Sequence, residues 1–201
     1  MHIGQACAAI AAARKNICPQ APLVATMSAQ FAFDALGETE RRIDSVPLMG
    51  GAAGLGLGLA LARPDLPVIV VDGDASLLME LGSLVTVAHN RPARLLHFVC
   101  ANGVQFNGLR NLPTAGADPA CDFAAMALAA GYAHAERIGD AGQLAAALPG
   151  LLARTGATLI ELALARDPAR VGAETPQPLL PPFQFVRMRH AVRTLKAALQ
   201  S

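Results

Sequence analysis

The sequence predicts an α/β fold, a three-layer sandwich on a mostly parallel sheet, and two apolar runs carry that prediction. Val68-Ile69-Val70-Val71 sets four β-branched residues in succession, as a strand buried on both faces requires. Residues 95–100 form a second such run, and residues 76–89 between them read as a helix closed by Arg91-Pro92. Strand, helix and strand make one βαβ unit. The chain's 201 residues suit one α/β domain with a substantial core and are few for two, so residues 1–201 are read as a single domain.

The other elements follow in order. Residues 2–13 predict a helix, with Ile3, Ala6, Ile10 and Ala13 at helical spacing. Pro19 and Pro22 close that region, and Leu23-Val24-Ala25-Thr26 has strand character. Residues 37–45 are polar and read as a loop, and a helix of small residues spans 51–62. Residues 102–117 hold Gly and Asn without apolar periodicity and read as a long loop, which in compact domains is usually functional or disordered. A helix over 121–130, a short apolar segment over 132–138, a helix over 141–153 and a strand over 158–164 complete the pattern. A Pro-rich stretch, 174–183, leads to a final helix over 184–200. Its Phe185, Met188, Val192, Leu195 and Leu199 form one apolar seam, with Arg187, Arg189, Arg193 and Lys196 elsewhere on its surface. The favoured reading docks this helix on its own domain, and a partner-facing helix is the alternative.

Composition narrows the function. Hydrophobic residues make up 53% and charged residues 15%, which leaves little polar surface and favours a subunit interface over a lone monomer. The formal charge is +1 and the basic residues are scattered. With one Tyr and no Trp, the sequence offers neither a phosphate-binding stripe nor stacking platforms, so no nucleic-acid partner is expected. Cys7, Cys18, Cys100 and Cys121 form no CxxC pair and no metal-ligand spacing, and a reduced, cytoplasmic compartment is expected. The absent cysteine cluster also disfavours an iron–sulfur oxidoreductase. The longest uncharged apolar run, residues 49–62, contains five glycines and is too short to span a bilayer. Gly54, Gly56 and Gly58 do not match GxGxxG and precede the clear strand, which argues against a nicotinamide-binding domain.

The polar residues of the βαβ unit carry the chemistry. Asp74 falls just past one buried strand and Asn102 just past the next, on the sheet edge where open α/β folds bind ligands. A carboxylate and an amide oxygen there suit Mg²⁺, a hard cation that shares its six oxygens between side chains and phosphates. Small Ala75 permits close approach of a diphosphate, and Ser76 offers a hydroxyl and an N–H at a helix start. The plainer alternatives are a helix cap for Asp74 and a turn residue for Asn102.

Gly73-Asp74-Ala75-Ser76, followed by Asn102-Gly103-Val104 with 28 positions from Asp to Asn, resembles the motif of thiamine-diphosphate enzymes. Residues 47–114, including the Met49-Gly50 pair and its small-residue helix, are similar to the sulfopyruvate and phosphonopyruvate decarboxylases. The resemblance implies a thiamine-diphosphate-binding fold of the diphosphate-binding type, with thiamine diphosphate and Mg²⁺ as cofactors. It implies Asp74, Asn102 and the Val104 carbonyl as metal ligands, and Gly73, Ala75 and Ser76 around the diphosphate. It further implies that Met49, next to Gly50, wedges the cofactor into a bent conformation, with the Pro47 carbonyl facing the aminopyrimidine. Two departures stand out: Ala75 replaces the commoner Gly, and the 105–114 segment differs from the family's Gly- and Tyr-rich version.

The resemblance also implies an activating Glu on a separate pyrimidine-binding domain. No such domain fits beside the motif, and Glu38 and Glu40 precede it on the same domain. No catalytic residue is therefore assigned to this chain. It is expected to be the β-type subunit of a hetero-oligomeric carboxy-lyase, inactive without an α-type partner and acting on a small anionic 2-oxo acid. Arg110 is the candidate for the substrate's anionic tail. A carboligating enzyme subunit and a non-catalytic scaffold subunit of the same fold are the alternatives.

Overall fold

Alternation along the buried strands builds the sheet, because successive side chains leave a strand on opposite faces. The computed structural model describes residues 1–45, 48–107, 110–114, 121–166 and 183–200. Its elements are α1 (Ile3–Ile17), β1 (Leu23–Ala25), α2 (Met27–Ala35), β2 (Arg42–Asp44), α3 (Ala52–Ala62), β3 (Val68–Gly73), α4 (Asp74–Met79) and α5 (Ser83–Asn90). They continue with β4 (Arg94–Ala101), β5 (Val104–Asn107), β6 (Arg110–Pro113), α6 (Phe123–Ala130), β7 (His134–Ile138), α7 (Ala141–Ala153), β8 (Gly156–Ala163) and α8 (Phe183–Gln200).

Six strands run parallel in the order β2-β1-β3-β4-β8-β7, and β5 and β6 make a separate antiparallel hairpin. The order reverses between β1 and β3. Ile69, Val71, Leu96 and Phe98 face a core shared with Ile10, Phe33, Leu144 and Leu148 of α1, α2 and α7. Val68, Val70, Leu95 and Val99 face a second core with Ala53, Leu57, Leu77, Leu84 and Phe123 of α3 to α6. Helices on both faces of a parallel sheet give the predicted three layers. Gly56 lets α3 press onto β3, since a Cβ there would collide with the Val70 side chain.

Several boundaries differ from the sequence expectation. The 37–45 segment contains a strand as well as a loop. Charged β2 is buried because Arg42 meets Asp44 at 2.7 Å and Asp34 at 2.6 Å, so ion pairing takes the place of apolar alternation. The 76–89 helix is two helices, broken where Glu80 leaves helical geometry ahead of Gly82. The 102–117 loop contains the β5–β6 hairpin, whose strands are too short to show periodicity in sequence. The helix assigned to 121–130 begins at Phe123, where the Asp122 carboxylate caps the Ala125 N–H at 2.7 Å.

α8 packs on β2 of its own chain, and Leu195 is its buried anchor while Val192 stays 44% exposed. Arg187 is engaged in pairing: it meets Asp34 at 2.9 Å and Asp44 at 2.6 Å. Arg41 and Arg63 donate to the carbonyls of Ala198 and Leu199, satisfying two acceptors that a helix end leaves open. Residues 174–182 of the Pro-rich stretch lie outside the described residues. No helix among the described residues is long and apolar enough to cross a membrane.

Candidate functional site

β3 and β4 are adjacent and parallel, so the residues that follow them emerge together at one edge. Gly73 ends β3 as the N-cap of α4, and Asp74 is the first helical residue. The helix-cap reading of Asp74 is therefore not realised. Its buried carboxylate instead spans two segments, with Oδ1 accepting the Ala75 N–H at 2.7 Å and Oδ2 accepting the Gly103 N–H at 2.6 Å. Burial pushes its pKa above the ordinary carboxylate value, while the N–H groups of Gly103 and Ala75 pull the other way.

Asn102 follows β4 and is half-buried. Its Oδ1 accepts the Val104 N–H at 3.0 Å, so the turn role is realised. An amide oxygen has two lone pairs, and that contact leaves acceptor capacity. Asp74 and Asn102 line one cavity of about 150 Å³, shared with Gly103, Phe123, Arg137 and Glu161. A larger open depression between α5 and α6, about 480 Å³, is lined by His89 and Arg91 and holds none of the predicted residues. Among the described residues no group of three or more His, Cys, Asp or Glu could hold a metal ion. The Asp74 carboxylate and the Asn102 amide present oxygen donors, the chemistry that a hard cation such as Mg²⁺ takes.

The Met49-Gly50 pair joins the same edge. Gly50 donates its N–H to Ser76 Oγ at 2.8 Å, and both residues are buried. Gly50 has φ +86°, and a Cβ there would stand 2.6 Å from Glu80 Cβ, so only glycine fits. Met49 is half-buried. Ala75 sits in α4 without positive φ, which explains why the position accepts Ala in place of Gly. Val104 opens β5 and is half-buried. Pro47 lies outside the described residues, as does the Arg110 side chain, although its backbone belongs to β6.

Glu161 escaped sequence reasoning. It is buried in β8, pairs with Arg137 at 3.2 Å and accepts the Ala124 N–H at 3.2 Å near the start of α6. A lone carboxylate inside an apolar strand run was its available signal.

The family described as "Thiamine pyrophosphate enzyme, C-terminal TPP binding domain" matches residues 25–162. Phosphonopyruvate decarboxylase of Streptomyces hygroscopicus is 41% identical over 156 residues, which cover 76% of this chain and 36% of that protein. Sulfopyruvate decarboxylase subunit beta of Methanocaldococcus jannaschii is 43% identical over 65 residues, 32% of this chain and 34% of that protein. The chain spans about a third of the length of these curated relatives. An X-ray structure described as a thiamin diphosphate-dependent enzyme from Mycobacterium smegmatis aligns with TM-score 0.62 and 18% identity, over 77% of this chain and 31% of that one. At that identity the likeness speaks for the fold.

Proposed function

The chain belongs to the thiamine pyrophosphate enzyme family through its C-terminal TPP-binding domain, and from that premise we propose that residues 1–201 act as the diphosphate-binding unit of a 2-oxo acid decarboxylase. The substrate class is a small acid with an anionic tail, like the phosphonopyruvate and sulfopyruvate in the names of its relatives. One observation carries the reading: Asp74 and Asn102 share a cavity at the ends of β3 and β4.

The residues fit the cofactor. The Asp74 carboxylate, the Asn102 amide oxygen and the Val104 carbonyl would hold Mg²⁺, and Gly73, Ala75 and Ser76 would receive the diphosphate. Met49, steadied by the Gly50–Ser76 bond, would support the bent cofactor, and the Pro47 carbonyl would face the aminopyrimidine. Thiamine diphosphate, when bound, supplies a thiazolium carbon that adds to a ketone and accommodates the electron pair left as CO₂ departs. The chain's own residues anchor and orient, and Arg110 would meet the substrate's anionic tail. The activating Glu would come from a pyrimidine-binding partner subunit, making the active form a hetero-oligomer.

Calorimetric titration of thiamine diphosphate with Mg²⁺ into wild type and Asp74→Ala, each with its partner, tests the reading. Wild type should bind and the variant should not, and CO₂ should be released from phosphonopyruvate or sulfopyruvate in the partnered wild type alone. Absence of heat with wild type would leave a scaffold subunit, and carbon–carbon bond formation without net CO₂ release would make it a carboligase.

A further inference from the structure

β7 and β8 bring an arginine to the cavity that Asp74 and Asn102 share. Arg137 and Glu161 stand in register on these neighbouring strands, and both line that cavity. They are unequally placed: the Glu161 side chain is 1% exposed and the Arg137 side chain 60%. Arg137 Nε pairs with Glu161 Oε1 at 3.2 Å, while Glu161 Oε2 accepts the Ala124 N–H at 3.2 Å. Both oxygens of the buried carboxylate are therefore engaged. The two Nη groups of Arg137 meet no ion-pair or hydrogen-bond partner among the described residues.

A guanidinium is a rigid, permanently charged fork of N–H donors. With Nε committed to β8, the Nη end of the fork can take two oxygens of one carboxylate, phosphate or phosphonate. The start of α6 competes poorly for such a group, because its Ala124 N–H is bound to Glu161 and its Ala125 N–H to Asp122. Charge points the same way. The carboxylates of Asp74 and Glu161 are balanced by the guanidiniums of Arg137 and Arg166, which line the same cavity. A divalent cation at Asp74 would tip that balance to surplus positive charge, which an anionic ligand neutralises.

We propose that Arg137, with its Nε held by Glu161, is an anion-binding residue of this cavity. Its Nη groups take an oxyanion, either the anionic tail of the substrate or the terminal phosphate of the cofactor. Anion recognition then falls on β7 as well as on the β5–β6 hairpin that carries Arg110. The identity of the ligand rests on the decarboxylase reading, whereas the anion site itself rests on the Arg137–Glu161 geometry.

The test uses the full chain with any partner it requires, titrated with thiamine diphosphate and Mg²⁺ and then with phosphonoacetate. That probe carries a phosphonate tail but no ketone, so it cannot be decarboxylated. If the substrate's tail is the anion, calorimetric affinity for phosphonoacetate should fall about tenfold to a hundredfold in Arg137→Gln, as loss of charge-assisted hydrogen bonds implies. If the cofactor's phosphate is the anion, affinity for thiamine diphosphate should fall by that factor instead. Wild-type affinity for both would overturn the proposal. The loss should persist when Arg137→Gln is added to Glu161→Gln, and a loss that vanishes there would mean that Arg137 only neutralises Glu161. This second background strands no buried charge, so it also decides the matter should Arg137→Gln alone not fold. If wild type binds no thiamine diphosphate with Mg²⁺, the decarboxylase reading fails on its own. Inorganic phosphate then judges the anion site in the ¹⁵N-labelled chain: a saturable shift of the Arg137 Nε–H resonance supports it, and a resonance that stays still sinks it.

Discussion

Ser76 Oγ accepts the Gly50 N–H at 2.8 Å, joining the segment after β2 to the helix after β3. The bond crosses 26 positions of sequence and both ends are buried. It makes the Met49 segment and the Asp74 segment one mechanical unit, so damage at either end should be felt at the other.

Ser76→Ala removes the acceptor and strands a buried N–H, which costs about 1–3 kcal/mol. Gly50→Ala adds strain at φ +86° and a collision with Glu80, and should cost about as much or more, ~2–4 kcal/mol. Urea unfolding of both variants checks the order, with Gly50→Ala the less stable.

The raised pKa of Asp74 gives its stability contribution a definite pH sign. The folded protein holds this proton more tightly than the unfolded chain, whose ordinary value is 3.8. The contribution is thus fully present below that value and is lost as pH rises through the raised one. In EDTA, the stability of wild type relative to Asp74→Ala should be greatest in acid and decline toward neutrality. With Asp74 holding the cation as proposed, Mg²⁺ and thiamine diphosphate should reverse the trend, because a metal ligand must be ionised. Thermal melts across pH, with and without them, read both effects.

Arg187 neutralises two carboxylates, Asp34 and Asp44, that Arg42 shares from the other side. Its guanidinium is only partly exposed, so Arg187→Ala should cost about 1–2 kcal/mol. Chymotrypsin should then cut near Phe183 and Phe185 faster than in wild type.

Gly56→Ala would push α3 away from β3, since the added methyl meets the Val70 side chain. Overpacking of this kind costs about 1–3 kcal/mol. Val70→Ala should relieve it, and a double-mutant cycle in urea should show favourable coupling between the two changes.

The β3–β4 unit was legible because four β-branched residues in a row have few other uses, and the placement of Asp74 and Asn102 followed from it. β2 was not legible. Its buried charges read as a polar loop until Asp34 and Arg187, 8 and 145 positions away from Arg42, supply their partners. α2 was missed within an unremarked stretch, and the break between α4 and α5 at Glu80 was missed as well. The candidate site shows the same division. Its metal-type residues follow strands with strong local signals, whereas Glu161 and the Gly50–Ser76 bond arise from tertiary proximity.

The reversal of strand order between β1 and β3 has a mechanical consequence. The polypeptide departs from these neighbours in opposite directions, toward β2 on one flank and toward β4 on the other, and the two connections diverge like the jaws of a clip. A molecule laid across the gap would be touched by peptide made early and peptide made late, so its grip would close only once both βα halves had docked along the β1–β3 seam. Occupancy would then report the integrity of that seam, and a ligand bound there would act as a strut between the halves.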